Sequence, residues 1–238
     1  MGYYGYYEYV SVSERKEKAK KSLEKLKKTR PNISPVIIPG RSIAVKWWGK
    51  AWNVNLESYA DYSNRIGRGK SYVRNGAVLD LQIKEGRVEA LVQGSGSKPY
   101  NVEIIIDKLN ETKWKNITEI CNGKIDTMET LLLGEFPNEF NQLFSDSSNG
   151  LFPSSKEIHF KCSCPDSAKM CKHIAAALYG IGARLDENPI LFFRLREIDF
   201  QELLKKSMEE KMQSMLKNAN KKSERTIDDG DVFDLFGI

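Results

Sequence analysis

Two histidines, four cysteines and no long apolar run are the scarcities that narrow this 238-residue chain. Nothing in it approaches the roughly 20 consecutive apolar residues that a membrane-spanning helix needs. Val36-Ile37-Ile38 and Ile104-Ile105-Ile106 are only strand-sized. The start, Met1-Gly-Tyr-Tyr-Gly-Tyr-Tyr7, has neither a charged n-region nor an apolar h-region, so no signal peptide is expected. Four cysteines, three of them clustered, do not make a disulfide framework in a chain this long, and Cys162 lies too near Cys164 for a disulfide staple. A reducing, cytoplasmic setting is the expectation. Catalytic signatures are also missing. Gly94-Ser-Gly-Ser lacks the Lys-Ser/Thr of a P-loop and reads as a hairpin turn. No paired-carboxylate motif stands out. Cys121 and His159 lack a third group that would orient them as a nucleophile pair. No enzyme is expected.

What is present supports a folded body. Hydrophobic residues make up 40% of the chain, enough for a core. Charge is unevenly placed: residues 1–30 hold nine Lys/Arg against four Glu, a net +5 that equals the value for the whole chain. The other 208 residues balance. Within them a second basic zone, Arg41 to Arg74, carries seven basic residues and two acidic ones, whereas Asp228, Asp229, Asp231 and Asp234 make the tail acidic. An anionic partner for the front half follows from that polarity.

Periodicity places the elements. Ser13 is the expected cap of a helix to about Lys28 with a thin Leu23/Leu26 stripe. Pro31, Pro35 and Pro39 enforce an extended linker, with Val36–Ile38 as an edge strand. Trp48, Trp52, Leu56 and Tyr59 fall at helical spacing, which predicts one helix from Trp47 to Ile66, ended by Gly67-Arg68-Gly69. Strands are expected at 77–83, 88–92 and 100–106, as an antiparallel meander with a tight turn at Lys84–Arg87. Short helices follow at 111–121, 127–133 and 137–144, then a strand at 156–162 and helices at 173–185, 189–195 and 199–217. The last places Phe200, Leu203, Leu204, Met208, Met212, Met215 and Leu216 at helical spacing. Residues 218–230 have the composition of a disordered linker. The fold class is α+β: a helix packed on an antiparallel meander, then a mostly helical region. The regions are 1–30 (arm and basic helix), 31–110, 111–217 and 218–238, and the middle two can share one core.

One 12-residue run holds most of the chemistry: Cys162-Ser-Cys164-Pro-Asp-Ser-Ala-Lys-Met-Cys171-Lys-His173. Three thiolates and one imidazole complete a tetrahedral Zn²⁺ set and leave no position for water or substrate. Residues two apart on an extended strand point to the same side, so Cys162 and Cys164 can grip one ion. Two apart on a helix they diverge by about 200°, which puts Cys171 in the turn before a helix and His173 in its first turn. His159 lies on the other strand face and should not join the metal. A metal-free cysteine cluster is the plainer alternative.

The Cys-x-Cys…Cys-x-His order, and the apolar helix Ile174-Ala-Ala-Ala-Leu178 after it, resemble the SWIM zinc finger, here spanning about residues 156–185. Upstream, Trp48-Gly-Lys-Ala-Trp52, Arg68-Gly-Lys-Ser-Tyr-Val-Arg74 and Val92-Gln-Gly-Ser95 also look like bacterial SWIM zinc finger proteins, often considered companions of SNF2-type helicase-like ATPases. The resemblance implies bound zinc, with contacts to DNA or to proteins such as an SNF2-like ATPase. Nucleic-acid candidates from the residues themselves are Lys50, Arg65, Arg68, Lys70, Tyr72 and Arg74, where a glycine-rich basic turn would meet phosphates and Tyr72 would stack on a base. The competing reading is a solvated turn with Tyr72 in the core. Trp47, Trp48 and Trp52 fit a core better than stacking platforms. Phe233, Leu235 and Phe236 form a candidate partner-docking tail or a frayed end. Two functions remain: a nucleic-acid-binding accessory protein, or a protein-interaction adaptor in which the finger is purely structural.

Overall fold

The computed structural model describes residues 11–58, 63–121, 132–135, 138–146 and 149–219. Its elements are α1 (Val12–Thr29), α2 (Trp47–Glu57), α3 (Ser63–Arg74), β1 (Val78–Lys84), β2 (Arg87–Val92), β3 (Tyr100–Ile106), α4 (Glu111–Cys121), α5 (Asn138–Ser145), β4 (Ile158–Cys162), α6 (Lys172–Glu187), α7 (Ile190–Leu195) and α8 (Phe200–Ala219). Of the short helix expected at 127–133, all but Leu132 and Leu133 lie outside the described residues, as does the side chain of Cys121. No described helix is long and apolar enough to cross a membrane.

The helix α1 starts at Ser11 rather than Ser13. With Ser11 as cap, the residue three positions on is Glu14, and the two close a reciprocal box: Glu14 N–H donates to Ser11 Oγ at 3.2 Å and Ser11 N–H to Glu14 Oε2 at 2.7 Å. Ser13 would find Lys16 in that place, which cannot accept.

The four strands form an antiparallel sheet in the order β1-β2-β3-β4. Alternation sends Leu81, Val88, Ala90, Val92, Val102, Ile104, Ile106 and Ile158 to one buried face. The strand that enters the metal cluster therefore belongs to the meander. Its pairing with β3 sets Cys162 opposite Val102 and Phe160 opposite Ile104. The expected edge strand at Val36–Ile38 is not a regular strand. It still runs beside β1, where Val36 N–H donates to Val78 O and Leu81 N–H to Ser34 O.

The centre of the molecule is α6. Twelve of its residues, from His173 to Leu185, are buried. On one side it meets α2 and α3, and on the other the sheet. Trp48, Trp52, Phe144, Phe152, Phe192 and Phe193 fill the layer around it, and buried Trp52 donates its indole N–H to Leu178 O at 2.8 Å. The regions 31–110 and 111–217 thus share one core.

Among the described residues, the span expected as a single helix from Trp47 to Ile66 holds two helices, and residues 59–62 between them, Tyr59 included, lie outside the described residues. The first ends at Glu57, capped at Ser58. The second continues through Gly67-Arg68-Gly69, which was expected to be a turn. Packing explains the difference at Gly69. A Cβ there would lie 2.5 Å from Ala175 Cβ and 2.8 Å from Ala176 N, so only glycine lets α3 come this close to α6. Tertiary contact overrides glycine's low helix propensity.

Two polar clasps close the body. Asp186, near the end of α6, accepts the N–H groups of Val45 and Lys46 and puts its charge at the N-terminus of α2. Arg196, fully buried, donates to Asp107 O at 2.6 Å and to Glu157 Oε1 at 2.9 Å.

Candidate metal centre

The four candidate ligands come from three adjoining pieces of chain. Cys162 is the last residue of β4. Extended pairing persists one residue further, since Ser163 N–H donates to Asn101 O at 3.0 Å and Asn101 N–H to Ser163 Oγ at 2.9 Å. Cys164 is thereby carried to the same side as Cys162. Asp166 turns the chain by accepting Ala168 N–H at 3.1 Å. Cys171 is the N-cap residue of α6, with extended backbone (φ −88°, ψ 169°), and His173 is the second helical residue. This is the turn-then-helix placement that the spacing requires.

The ligand atoms of Cys162, Cys164, Cys171 and His173 all lie within 4.8 Å of one another. His173 Nδ1 is 3.7 Å from Cys171 Sγ and 4.0 Å from Cys162 Sγ. With Zn–S near 2.3 Å and Zn–N near 2.0 Å, an ideal tetrahedron has ligand–ligand edges of about 3.6 to 3.8 Å. The set fits zinc with a contraction of no more than about an ångström. Cys171 and His173 are buried, and Cys162 and Cys164 half-buried.

Proton chemistry fits the same ion. Without a metal, the Cys171 thiol is pushed down to about 4, chiefly by a hydrogen bond from Cys162, helped by His173 and the Ile174 N–H at the helix N-terminus. Cys162 is pushed up because it serves as that donor, and Cys164 is pushed up mainly by burial. A divalent cation takes all three sulfurs as thiolates, so its binding releases protons from the cluster.

The shell around the ligands is supplied by the front of the chain. Tyr72 of α3 meets the His173 ring edge-on at 5.6 Å, and Tyr100 of β3 lies at 4.5 Å from it. Arg65 pairs with Asp166 at 3.1 Å, tying α3 to the loop between the ligand pairs. Lys172 Nζ sits 5.8 Å over the Tyr72 ring. His159 faces away, exposed, with Nε2 3.1 Å from Asp107 Oδ1.

Of the basic candidates, Arg65, Arg68, Lys70 and Arg74 lie on α3 and Lys50 on α2. Because Gly67–Gly69 is helical, its backbone N–H groups serve the helix and do not form a turn that could hold an anion. Tyr72 is 8% exposed and packs edge-on against the His173 ring. Arg65 is engaged with Asp166, and Lys70 with Glu57 at 2.5 Å, over the Tyr179 ring. Burial and the Glu57 contact push the Tyr179 hydroxyl well above its ordinary value. Lys50, Arg68 and Arg74 are exposed. Phe233, Leu235 and Phe236 lie outside the described residues. Gly94 and Tyr100, beside His173, are site residues that sequence reasoning missed. Gly94 carried two signals, a Gly-Ser hairpin loop and the family-like Val92-Gln-Gly-Ser95 segment, and neither says what the loop packs against.

Residues 160–180 match the SWIM zinc finger family. That segment holds all four ligands, so the chain carries a SWIM-type Cys₃His finger positioned for a metal ion, typically zinc. An uncharacterized protein of Mycobacterium tuberculosis is 35% identical over 164 residues, which is 68% of this chain and 59% of that protein. The chain thus spans less than two thirds of that relative's length. No solved structure matches it.

Proposed function

We propose that this SWIM-finger protein is a non-catalytic accessory factor that binds nucleic acid, DNA by preference, alongside an SNF2-like ATPase. The observation that carries the reading is the mounting of α1. Ala19 is buried, α1 packs on β1, and Lys18 Nζ donates to Ser95 O at 2.6 Å. Its solvent-exposed positions include Lys16, Lys20, Lys21, Lys25, Lys27 and Lys28, interleaved with Glu14, Glu17 and Glu24. Eighteen helical residues extend about 27 Å, a length over which several phosphates of one strand can be met. Zinc, with four protein ligands, acts in this reading as a staple for α6 and takes no part in a reaction. The preference for DNA and the ATPase companion rest on the resemblance to bacterial SWIM proteins.

The test is binding of a labelled 25-base-pair duplex by the full chain at 50 to 300 mM salt. Contacts to about five phosphates give a slope of log K against log salt near −4 to −5. Replacing Lys20, Lys21, Lys25 and Lys28 with Ala reduces the magnitude of that slope by up to about four and weakens binding on every sequence alike. Absent or salt-independent binding removes the proposal.

A second reading, the protein-interaction adaptor, is favoured by α8. Met208, Met212, Met215 and Leu216 are exposed at spacings of three and four, an apolar stripe of the kind that takes a partner helix. Loss of a co-purified ATPase on changing Met208 and Met212 to Lys, with DNA binding intact, would support it.

A further inference from the structure

His173 reaches the sulfurs through Nδ1, the nitrogen nearer its own backbone, and its far nitrogen, Nε2, has no hydrogen-bond partner among the described residues. A ligating imidazole is ordinarily held by a bond to its other nitrogen, which fixes tautomer and ring orientation. Here packing does that work. The ring lies between Tyr100 and Tyr72, and Nε2 lies against the backbone of Gly94.

The approach at Gly94 is close. A Cβ built there would stand 2.5 Å from His173 Nε2, 2.5 Å from Tyr100 Cε2 and 2.9 Å from Tyr100 Cδ2. Ordinary carbon contacts are about 3.5 to 4.0 Å. Any side chain at 94 must therefore push the imidazole towards the sulfurs or push Tyr100 off it. The loop cannot readily retreat. Gln93, itself buried, donates its backbone N–H to Ala77 O at 2.7 Å and its amide Nε2 to Gly94 O and Gly96 O at 2.9 and 3.0 Å. Lys18 holds the next carbonyl, that of Ser95. Tyr72 is equally fixed, because α3 is packed against α6 at Gly69.

We propose that Gly94 and Tyr100 are positioning residues of the metal centre: the loop after β2 forms a floor and a wall that hold His173 so that Nδ1 meets the three sulfurs. The backbone of Gly94 is not in the left-handed region, so alanine there adds only the clash and no conformational strain. This separates crowding of the histidine from backbone effects.

The test uses full-length protein loaded with Co²⁺ in place of zinc. The visible d–d bands report tetrahedral geometry, the thiolate-to-metal charge-transfer bands count sulfurs, and competition with a chelator gives affinity. Gly94→Ala is expected to bind 10- to 100-fold more weakly, the range typical for lost ligand-orienting groups. Its d–d bands should move towards those of His173→Ala while the charge-transfer bands stay. Tyr100→Ala should move the same way, and Tyr100→Phe, which keeps the ring, should match wild type. Gly40→Ala, where a Cβ meets nothing within 4 Å, is the control for the substitution itself. A wild-type spectrum with affinity within threefold in Gly94→Ala and Tyr100→Ala overturns the proposal, whatever happens to their melting temperatures. If Gly94→Ala does not fold, Tyr100→Ala decides alone, since it removes atoms and adds none.

Discussion

Gly67 and Gly69, two residues apart on α3, should respond to alanine with opposite signs. In a helix interior, glycine to alanine ordinarily stabilises by about 0.8 to 1 kcal/mol. At Gly67 a Cβ would meet nothing within 4 Å, and the position is exposed, so Gly67→Ala should gain up to that amount. At Gly69 the same Cβ would lie 2.5 Å from Ala175 Cβ, 2.7 Å from Ala175 C and 2.8 Å from Ala176 N. Two of those three atoms are backbone and the third is an alanine methyl, so no rotamer can relieve the contact. Restoring ordinary separation requires α3 and α6 to part by about 1 Å, against buried neighbours that include Tyr72 and Val73. Overpacking of this kind costs about 1 to 3 kcal/mol, and the tight backbone contact places Gly69 at the upper end. Net of the propensity gain, Gly69→Ala should lose about 2 kcal/mol, a fall of about 4 to 8 °C in a chain this size. The assay is thermal and urea unfolding of the zinc-loaded full chain. If both variants are destabilised, the segment is a turn and the helix is wrong. If Gly69→Ala is at least as stable as wild type, the close crossing of α3 and α6 is wrong.

Cys164→Ser should abolish stoichiometric zinc and lower the melting temperature by more than about 10 °C, because the finger's helix is the centre of the core. Metal content by atomic absorption and a melt check both, and an unchanged pair would refute the ligand assignment. Arg196→Met should destabilise by about 3 kcal/mol, measured by urea unfolding, since it strands Glu157 and Asp107 O beside a buried site. Burial pushes the Glu157 carboxyl up, but the Ser154 N–H and the Arg196 bond and charge outweigh it and hold it below the usual value. A depressed folded value means that the stabilisation is full above about pH 4.5 and is lost as pH falls through the folded value. The stability of wild type should therefore fall more steeply below pH 4.5 than that of Glu157→Gln, and parallel curves would sink the linkage.

Legibility followed range along the chain. The three meander strands show in alternation because inward residues recur every second position, and Glu85-Gly86 marks their first turn. The ligand set shows in 12 residues because zinc demands its donors at spacings that an extended strand and a helix start can supply. The cap of α1 was legible too, but only by checking which residue stands three positions on: Glu14 answers Ser11, and Lys16 cannot answer Ser13. By contrast, Trp48, Trp52 and Leu56 fit one long helix as well as the shorter α2. Gly67 and Gly69 look the same in sequence, and what separates them is Ala175, more than 100 residues away.

The chain's own sequence determined the chemistry of its metal centre, the strand alternation and the basic charge of its first 30 residues, all of which depend on neighbours within a few positions. Tertiary structure alone decided that β4 joins the meander, that α6 lies at the centre, that Arg65, Lys70 and Tyr72 are internal contacts, and that Gly94 lies against His173. Those outcomes depend on which distant surfaces come together at van der Waals distance, and a residue's type does not record what will be packed against it.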